Sequence, residues 1–550
     1  MHRRSTWGIS TAALALAVAC AATPSLAEAQ DGLGAKGALD AVGPVQLDKY
    51  AYLKRLSLDL RGTTPTWEEY AALETAVGVT EAQIAELLDS DGFLDVMVDY
   101  HRDLLWTNVS NFQYIQFPWD LTRVTVGPSG ESQSVLYLYR KGAYFRGAPG
   151  TSENERIPCG HWPATFDATG MPEVTCEADG TCREGWVWVE PFWDPANPVK
   201  VCAFDAMENR YGEGGVDCST PASRLETTCG CGPNLAFCDA RDGAMNVELE
   251  IGQALSEQLL QVVRHVIAED RPYSEVLTTR LTYVNGPIVH YLKNQLSLAS
   301  IIDVKPSPVD DIFLPDIPFN DYSWYPVLLG DEHSGILTSY GFLLRFQTNR
   351  SRVNRFYNAF LDSFFDASRS TGTAGCVQEG ADLTKRCYCQ NCHLAVEPWA
   401  AYWARWKQQG AGYLNPTDFP IFDSACEQCA RTGVGSCPTY CRNEYVIETV
   451  PADREPYLGY LRGYEFLKPT DMLNTEAGPR LWVERTLQDG TLARGIVSKM
   501  WKQFMQRPFD DTKADNDTRD ALFATFVGSN YNLKVLVQAI VTHPAYRRIR

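Results

Sequence analysis

The cysteines limit this fold more than any other feature. Sixteen of the 17 fall into two groups of eight. The first is Cys159, Cys176, Cys182, Cys202, Cys218, Cys229, Cys231 and Cys238; the second is Cys376, Cys387, Cys389, Cys392, Cys426, Cys429, Cys437 and Cys441. In an oxidising compartment such groups staple the chain with disulfides, whereas in a reducing one they bind metal or act in redox chemistry. Each group is even and can close on itself, but spacing alone does not give the pairing.

The N-terminus speaks to the compartment. Arg3 and Arg4 precede an apolar run from Ile9 to Ala22, and Ala27-Glu28-Ala29 offers a small-x-small cleavage site. Residues 1–29 are therefore expected to be a secretory signal peptide. Ala17-Val18-Ala19-Cys20 permits a second reading, with a lipid anchor at Cys20. No later apolar run reaches membrane-spanning length. The expectation is an exported protein, periplasmic or at the cell surface. Its 49 Lys+Arg against 68 Asp+Glu give a net charge of −19, which argues against nucleic acid as a partner.

One short motif carries chemistry: Cys389-Gln390-Asn391-Cys392-His393. C-x-x-C-H is the attachment signature of c-type haem, because two thiols must reach two vinyl groups while the next residue brings an imidazole to iron. The motif arises by chance in roughly one such sequence in a hundred. The expected cofactor is one covalent haem c on Cys389 and Cys392, with His393 as proximal iron ligand. Removing those two thiols leaves the second group even. Two plainer readings stand beside it. Cys389 and Cys392 with Cys426 and Cys429 form a C-x-x-C…C-x-x-C pair that suits structural zinc, and all four can equally enter disulfides.

Candidates for the sixth iron ligand are Met97, Met171, Met207, Met245, Met472, Met500 and Met505. Met472 is preferred because Lys468-Pro469-Thr470-Asp471-Met472 reads as a loop downstream of the motif. His333 is the histidine alternative, and an open iron face is a third. After the motif, Pro398 suits a helix start and Gly410 a stop. Trp399, Tyr402, Trp403 and Trp406 then recur at helical spacing, either as a wall against the porphyrin or as an ordinary core face.

The expected fold class is mainly α, with several domains. An N-terminal helical domain (30–127) precedes a cysteine-rich, β-containing insertion (128–245). A helical segment (246–330), a cytochrome c-like haem segment (331–475) and a C-terminal helical domain (476–550) follow. Within these, Tyr52, Leu53, Leu56 and Leu60 mark one buried face, Thr64-Pro65-Thr66 opens a helix, and Trp186-Val187-Trp188-Val189 reads as strand.

Several segments resemble the planctomycete-type cytochrome C-associated families, which are exported, multi-domain, C-x-x-C-H-containing proteins of unknown function. The resemblance rests on Arg55-Leu56-Ser57-Leu58-Asp59-Leu60-Arg61-Gly62-Thr63-Thr64-Pro65-Thr66, Asp270-Arg271-Pro272-Tyr273, Thr282-Tyr283-Val284-Asn285 and Val289-His290-Tyr291. It continues through Gly335-Ile336-Leu337-Thr338 and the stretch from Cys389 to Pro398. It covers about half the chain and omits the cysteine-rich insertion. The family's Met-Asp is Val396-Glu397 here, so no methionine at that place can serve iron. The resemblance implies haem and export rather than any one reaction. Arginines 350, 352 and 355 are candidates for pairing with haem propionates.

Three functions follow as expectations. The first is an electron-transfer cytochrome with a redox partner protein. The second is a haem-dependent oxidase or peroxidase using His333 or His290 as acid–base group. The third is a disulfide- or zinc-stabilised binding protein that holds a polysaccharide or protein on Trp186, Trp188 and Trp193.

Overall fold

The computed structural model describes residues 46–548 apart from 110–119, 140–158, 177, 179–181, 220–222, 224–225, 227, 243–244, 296–313, 366–374, 379–381, 409, 449–451, 468–470 and 473–474. The expected signal peptide and Cys20 lie outside the described residues.

Four helices open the fold: α1 (Lys49–Arg61), α2 (Trp67–Ala72), α3 (Glu81–Leu88) and α4 (Asp91–Leu105). Their boundaries follow from capping chemistry. Asp48 accepts the Tyr50 and Ala51 N–H groups at the start of α1. Gly62, at φ 71°, ends it in the left-handed conformation that glycine adopts without strain. Thr66 and Glu69 form a capping box on α2. Tyr52, Leu53, Leu56 and Leu60 turn inward and are buried.

The two ends of the described stretch are clasped together. Arg55 donates to the carbonyls of Tyr546 (2.6 Å) and Phe504 (3.2 Å), and the Tyr546 hydroxyl donates to Asp59 at 2.6 Å. Arg55 and Asp59 thus bind α1 to the C-terminal part of the chain.

Next comes a sheet that corrects the mainly-α expectation. Strands β1 (Asp120–Val126), β2 (Gln133–Tyr139), β3 (Cys159–Pro163), β4 (Val174–Cys176), β5 (Cys182–Val189), β6 (Val199–Cys202), β7 (Asp239–Asp242) and β8 (Met245–Asn246) form one eight-stranded sheet. Its order is β3-β5-β6-β2-β1-β7-β8, with β4 paired to β5. It is mixed: β1–β2 and β5–β6 run antiparallel, while β1–β7 and β2–β6 run parallel. The described residues are 47% helix and 14% strand, so the fold is not plainly a mainly helical one. The sheet begins ahead of residue 128. Thr122, Val124, Thr125 and Val126 supply the β-branched side chains that suit a pleated surface.

The parallel register places Asp120 opposite Asp239. Both carboxylates are buried and share Arg241 with Glu248. Burial, then the facing Asp120 charge, pushes the Asp239 carboxyl up to about 7.

Helix then returns in α5 (Val247–Ala268), whose Leu255, Leu259, Val262 and Val266 are buried. A short α6 (Glu275–Thr278) leads to β9 (Leu281–Val284), followed by α7 (Gly286–His290) and β10 (Tyr325–Leu328), which pairs antiparallel with β9. The remaining helices are α8 (Tyr340–Arg345), α9 (Asn349–Phe360), α10 (Gln390–Ala400), α11 (Ser424–Thr432), α12 (Thr439–Glu444), α13 (Gly478–Gln488), α14 (Thr491–Met505), α15 (Lys513–Gly528) and α16 (Leu533–Thr542). One apolar core runs from Tyr52 to Tyr546 and takes in Leu121, Leu136 and Val201 of the sheet. A second, smaller core lies under α11 and α12 and includes Cys426, Cys437, Cys441, Tyr445 and Met472. No described helix is long and apolar enough to cross a membrane.

Candidate functional site

Disulfides sort the cysteines. Cys159–Cys202, Cys218–Cys229 and Cys231–Cys238 close in the sheet region, where Cys176 is also bonded. In the second group Cys376–Cys387, Cys426–Cys441 and Cys429–Cys437 close. Cys389 and Cys392 remain free thiols. The zinc set therefore loses two of its four sulfurs to other partners. Cys159, Cys202 and Glu184 also cluster tightly enough for a metal, but both sulfurs are consumed by their mutual disulfide and Glu184 accepts the Phe204 N–H.

The two thiols sit at the start of α10. The N–H groups of Cys392 and His393 both reach the Cys389 carbonyl, at 3.2 and 3.1 Å, and this turn begins the helix. The helix thus starts at the motif, not at Pro398 as the sequence suggested. Pro398 lies within it, lacks the N–H that would bond the Leu394 carbonyl, and precedes a tighter 3-10 turn at Ala401–Trp403. Helical geometry sets Cys389, Cys392 and His393 at i, i+3 and i+4, on one face. Tyr388 and Leu394 flank them and stand 58% and 62% exposed.

His393 has a fixed orientation. Its Nδ1 lies 2.7 Å from Glu397 Oε1, one turn along the same helix. Arg350 of α9 donates its Nε–H to the same oxygen at 2.7 Å. Arg350 always carries its protons, so Oε1 accepts from both sides and the imidazole proton sits on Nδ1. In a neutral imidazole with Nδ1 donating, the ring lone pair lies on Nε2. Glu397 is almost wholly buried, His393 about one-fifth exposed, and Arg350 half exposed.

The donor set fits c-type haem. Two free thiols and an imidazole share a helical face, the imidazole's other nitrogen is already hydrogen-bonded, and exposed apolar side chains flank the face. Nδ1 bonding of this kind is the usual support for a metal-bound histidine.

Other expected residues take structural positions. Arg352 is fully buried and donates to the carbonyls of Phe346, Trp406, Lys407 and Gly410, at 2.9 to 3.2 Å, and to Asn349. Burial alone lowers its pKa to about 9. Arg355 lies 3.5 Å over the Trp106 ring and donates to the Leu104 carbonyl. The Arg352 guanidinium is taken up by backbone carbonyls, while Arg355 keeps a buried Nε–H without a partner. Trp399, Tyr402 and Trp403 pack on Trp482 of α13, with Trp399 stacked at 5.0 Å, and so build core. The Trp403 Nε1–H donates to the Leu337 carbonyl at 3.1 Å, which ties the Gly335–Thr338 turn to this segment.

His333 is buried against Trp406, with Nδ1 3.2 Å from the Thr338 hydroxyl and Nε2 lacking a hydrogen-bond partner. Met472 lies in the smaller core. Neither side chain is bonded to His393. Met97, Met207, Met500 and Met505 are buried. His290 is buried and stacked on Phe192 at 3.8 Å. Of the three tryptophans proposed as a binding platform, Trp193 is buried, Trp188 is 60% exposed and Trp186 carries Lys200 over its ring. Sequence reasoning missed the Glu397–His393 bond. The signal was their i,i+4 spacing, hidden because the helix was started at Pro398.

No protein-family model, curated protein or solved structure matches this chain.

Proposed function

We propose that the protein is an exported mono-haem c-type cytochrome that transfers electrons to or from a redox partner protein. The carrying observation is that Cys389 and Cys392 stay as thiols while their neighbours pair, with His393 held beside them by Glu397. Disulfides in both halves call for an oxidising compartment, which agrees with export. The sequence resemblance points to haem and export as well.

Haem, when bound, supplies a one-electron couple at its iron. The protein's part is to hold and shield. Cys389 and Cys392 would carry the two thioether bonds, and His393 Nε2 would ligate iron. Arg352 locks the carbonyls at 406, 407 and 410, and so fixes the aromatic segment behind α10. His290 is buried and stacked on Phe192, which weighs against it as the acid–base group of the oxidase or peroxidase reading.

The test is a pyridine haemochrome spectrum on protein expressed with a cytochrome c maturation system, beside a Cys392→Ala variant. A c-type spectrum that resists acid–acetone extraction, altered or absent in the variant, is the expected result. Haem that extracts freely, or no haem at all, overturns the proposal.

A further inference from the structure

We infer that Glu397 is a positioning residue that sets the electron affinity of the iron through His393, and that Arg350 tempers it. This rests on the haem reading above. The Glu397 carboxylate is buried, so its hydrogen bond to Nδ1–H acts in a low-dielectric setting and is charge-assisted. Such a bond draws the proton away from the ring and leaves Nε2 a stronger electron donor. A stronger donor favours the oxidised metal. The two residues share one helix, so the pairing is set by backbone geometry and not by a mobile loop. Arg350, on a different helix, donates to the same oxygen and draws part of its charge away from the imidazole.

The two partners therefore pull in opposite directions. Glu397→Gln keeps an acceptor of the same shape but removes its charge. It is expected to raise the reduction equilibrium constant about tenfold, ~59 mV for one electron, and to lower the iron–histidine stretching frequency. Arg350→Gln gives the oxygen wholly to His393 and is expected to shift the potential the other way by a smaller factor. Arg350 is half exposed, so its variant keeps the test decisive if the buried one fails to fold.

The experiment is spectroelectrochemical titration and resonance Raman of the haem-loaded protein and both variants, with haem content checked first by pyridine haemochrome. Opposite shifts with unchanged haem content support the inference. Covalent haem with potentials unmoved in a folded variant overturns it and leaves the proposed function standing. Absence of covalent haem in the parent overturns both.

Discussion

The two cysteine-bearing regions do different things with the same residue. In the sheet region, every cysteine whose side chain is described is bonded, and the three bridges named above span 7 to 43 positions. Around α10, three bridges span 8 to 15 positions and two thiols stay open. A bridge between distant segments removes much chain entropy from the unfolded state, whereas one across a single helical turn removes little. The difference teaches that stapling explains the bonded cysteines and does not explain Cys389 and Cys392.

The contrast can be broken at several points. The largest effect should come from replacing both Cys389 and Cys392 by Ala, with complete loss of covalent haem on a denaturing gel stained for haem. In haem-free protein the same pair should cost less than about 1 kcal/mol, since no bridge is lost. A cost of several kcal/mol would mean a hidden disulfide. Next, removing Cys159–Cys202 should lower stability by about 4 kcal/mol in denaturant titration, because its loop spans 43 positions. Removing Cys426–Cys441, with a separation of 15, should cost about 3 kcal/mol, and equal costs for the two would break the loop-entropy account.

A further effect separates the regions by pH. The folded-state carboxyl of Asp239 is raised to about 7 by burial and by Asp120, against an ordinary value near 3.8. The folded chain then holds a proton that the unfolded chain has lost. Stability from this group is present below the ordinary value and is lost as pH rises through about 7. Asp239→Asn should flatten that fall by up to about 4 kcal/mol, the full linkage of a carboxyl raised from 3.8 to about 7, read from melts between pH 4 and 8. A slope unchanged in the variant would assign the pH dependence elsewhere.

What was legible followed local rules. The buried face of Tyr52, Leu53, Leu56 and Leu60, the helix opened at Thr64-Pro65-Thr66 and the strand at Trp186–Val189 are all short-range patterns, and each stands in the structure where the sequence put it. The sheet was legible only in part, as a β-containing insertion, because its strands are short and two of its pairings join segments far apart in sequence. β1 pairs with β7 across more than a hundred residues, and no window of sequence carries that pairing. Arg352 was read as a surface or propionate arginine because its partners are backbone carbonyls, which leave no trace in side-chain identity. Lys513–Gly528 went unread as a helix because few of its residues face inward, with Leu522 and Phe526 the buried ones.

The clasp between Arg55 and Tyr546 bears on when the molecule becomes whole. These residues lie 491 positions apart. A chain that emerges N-terminus first must leave the inner face of α1 without its cover until the final helices arrive. The Cys389–His393 stretch emerges in between, before that closure. Trimming the C-terminus back past Tyr546 should loosen the first helix, hundreds of residues from the cut.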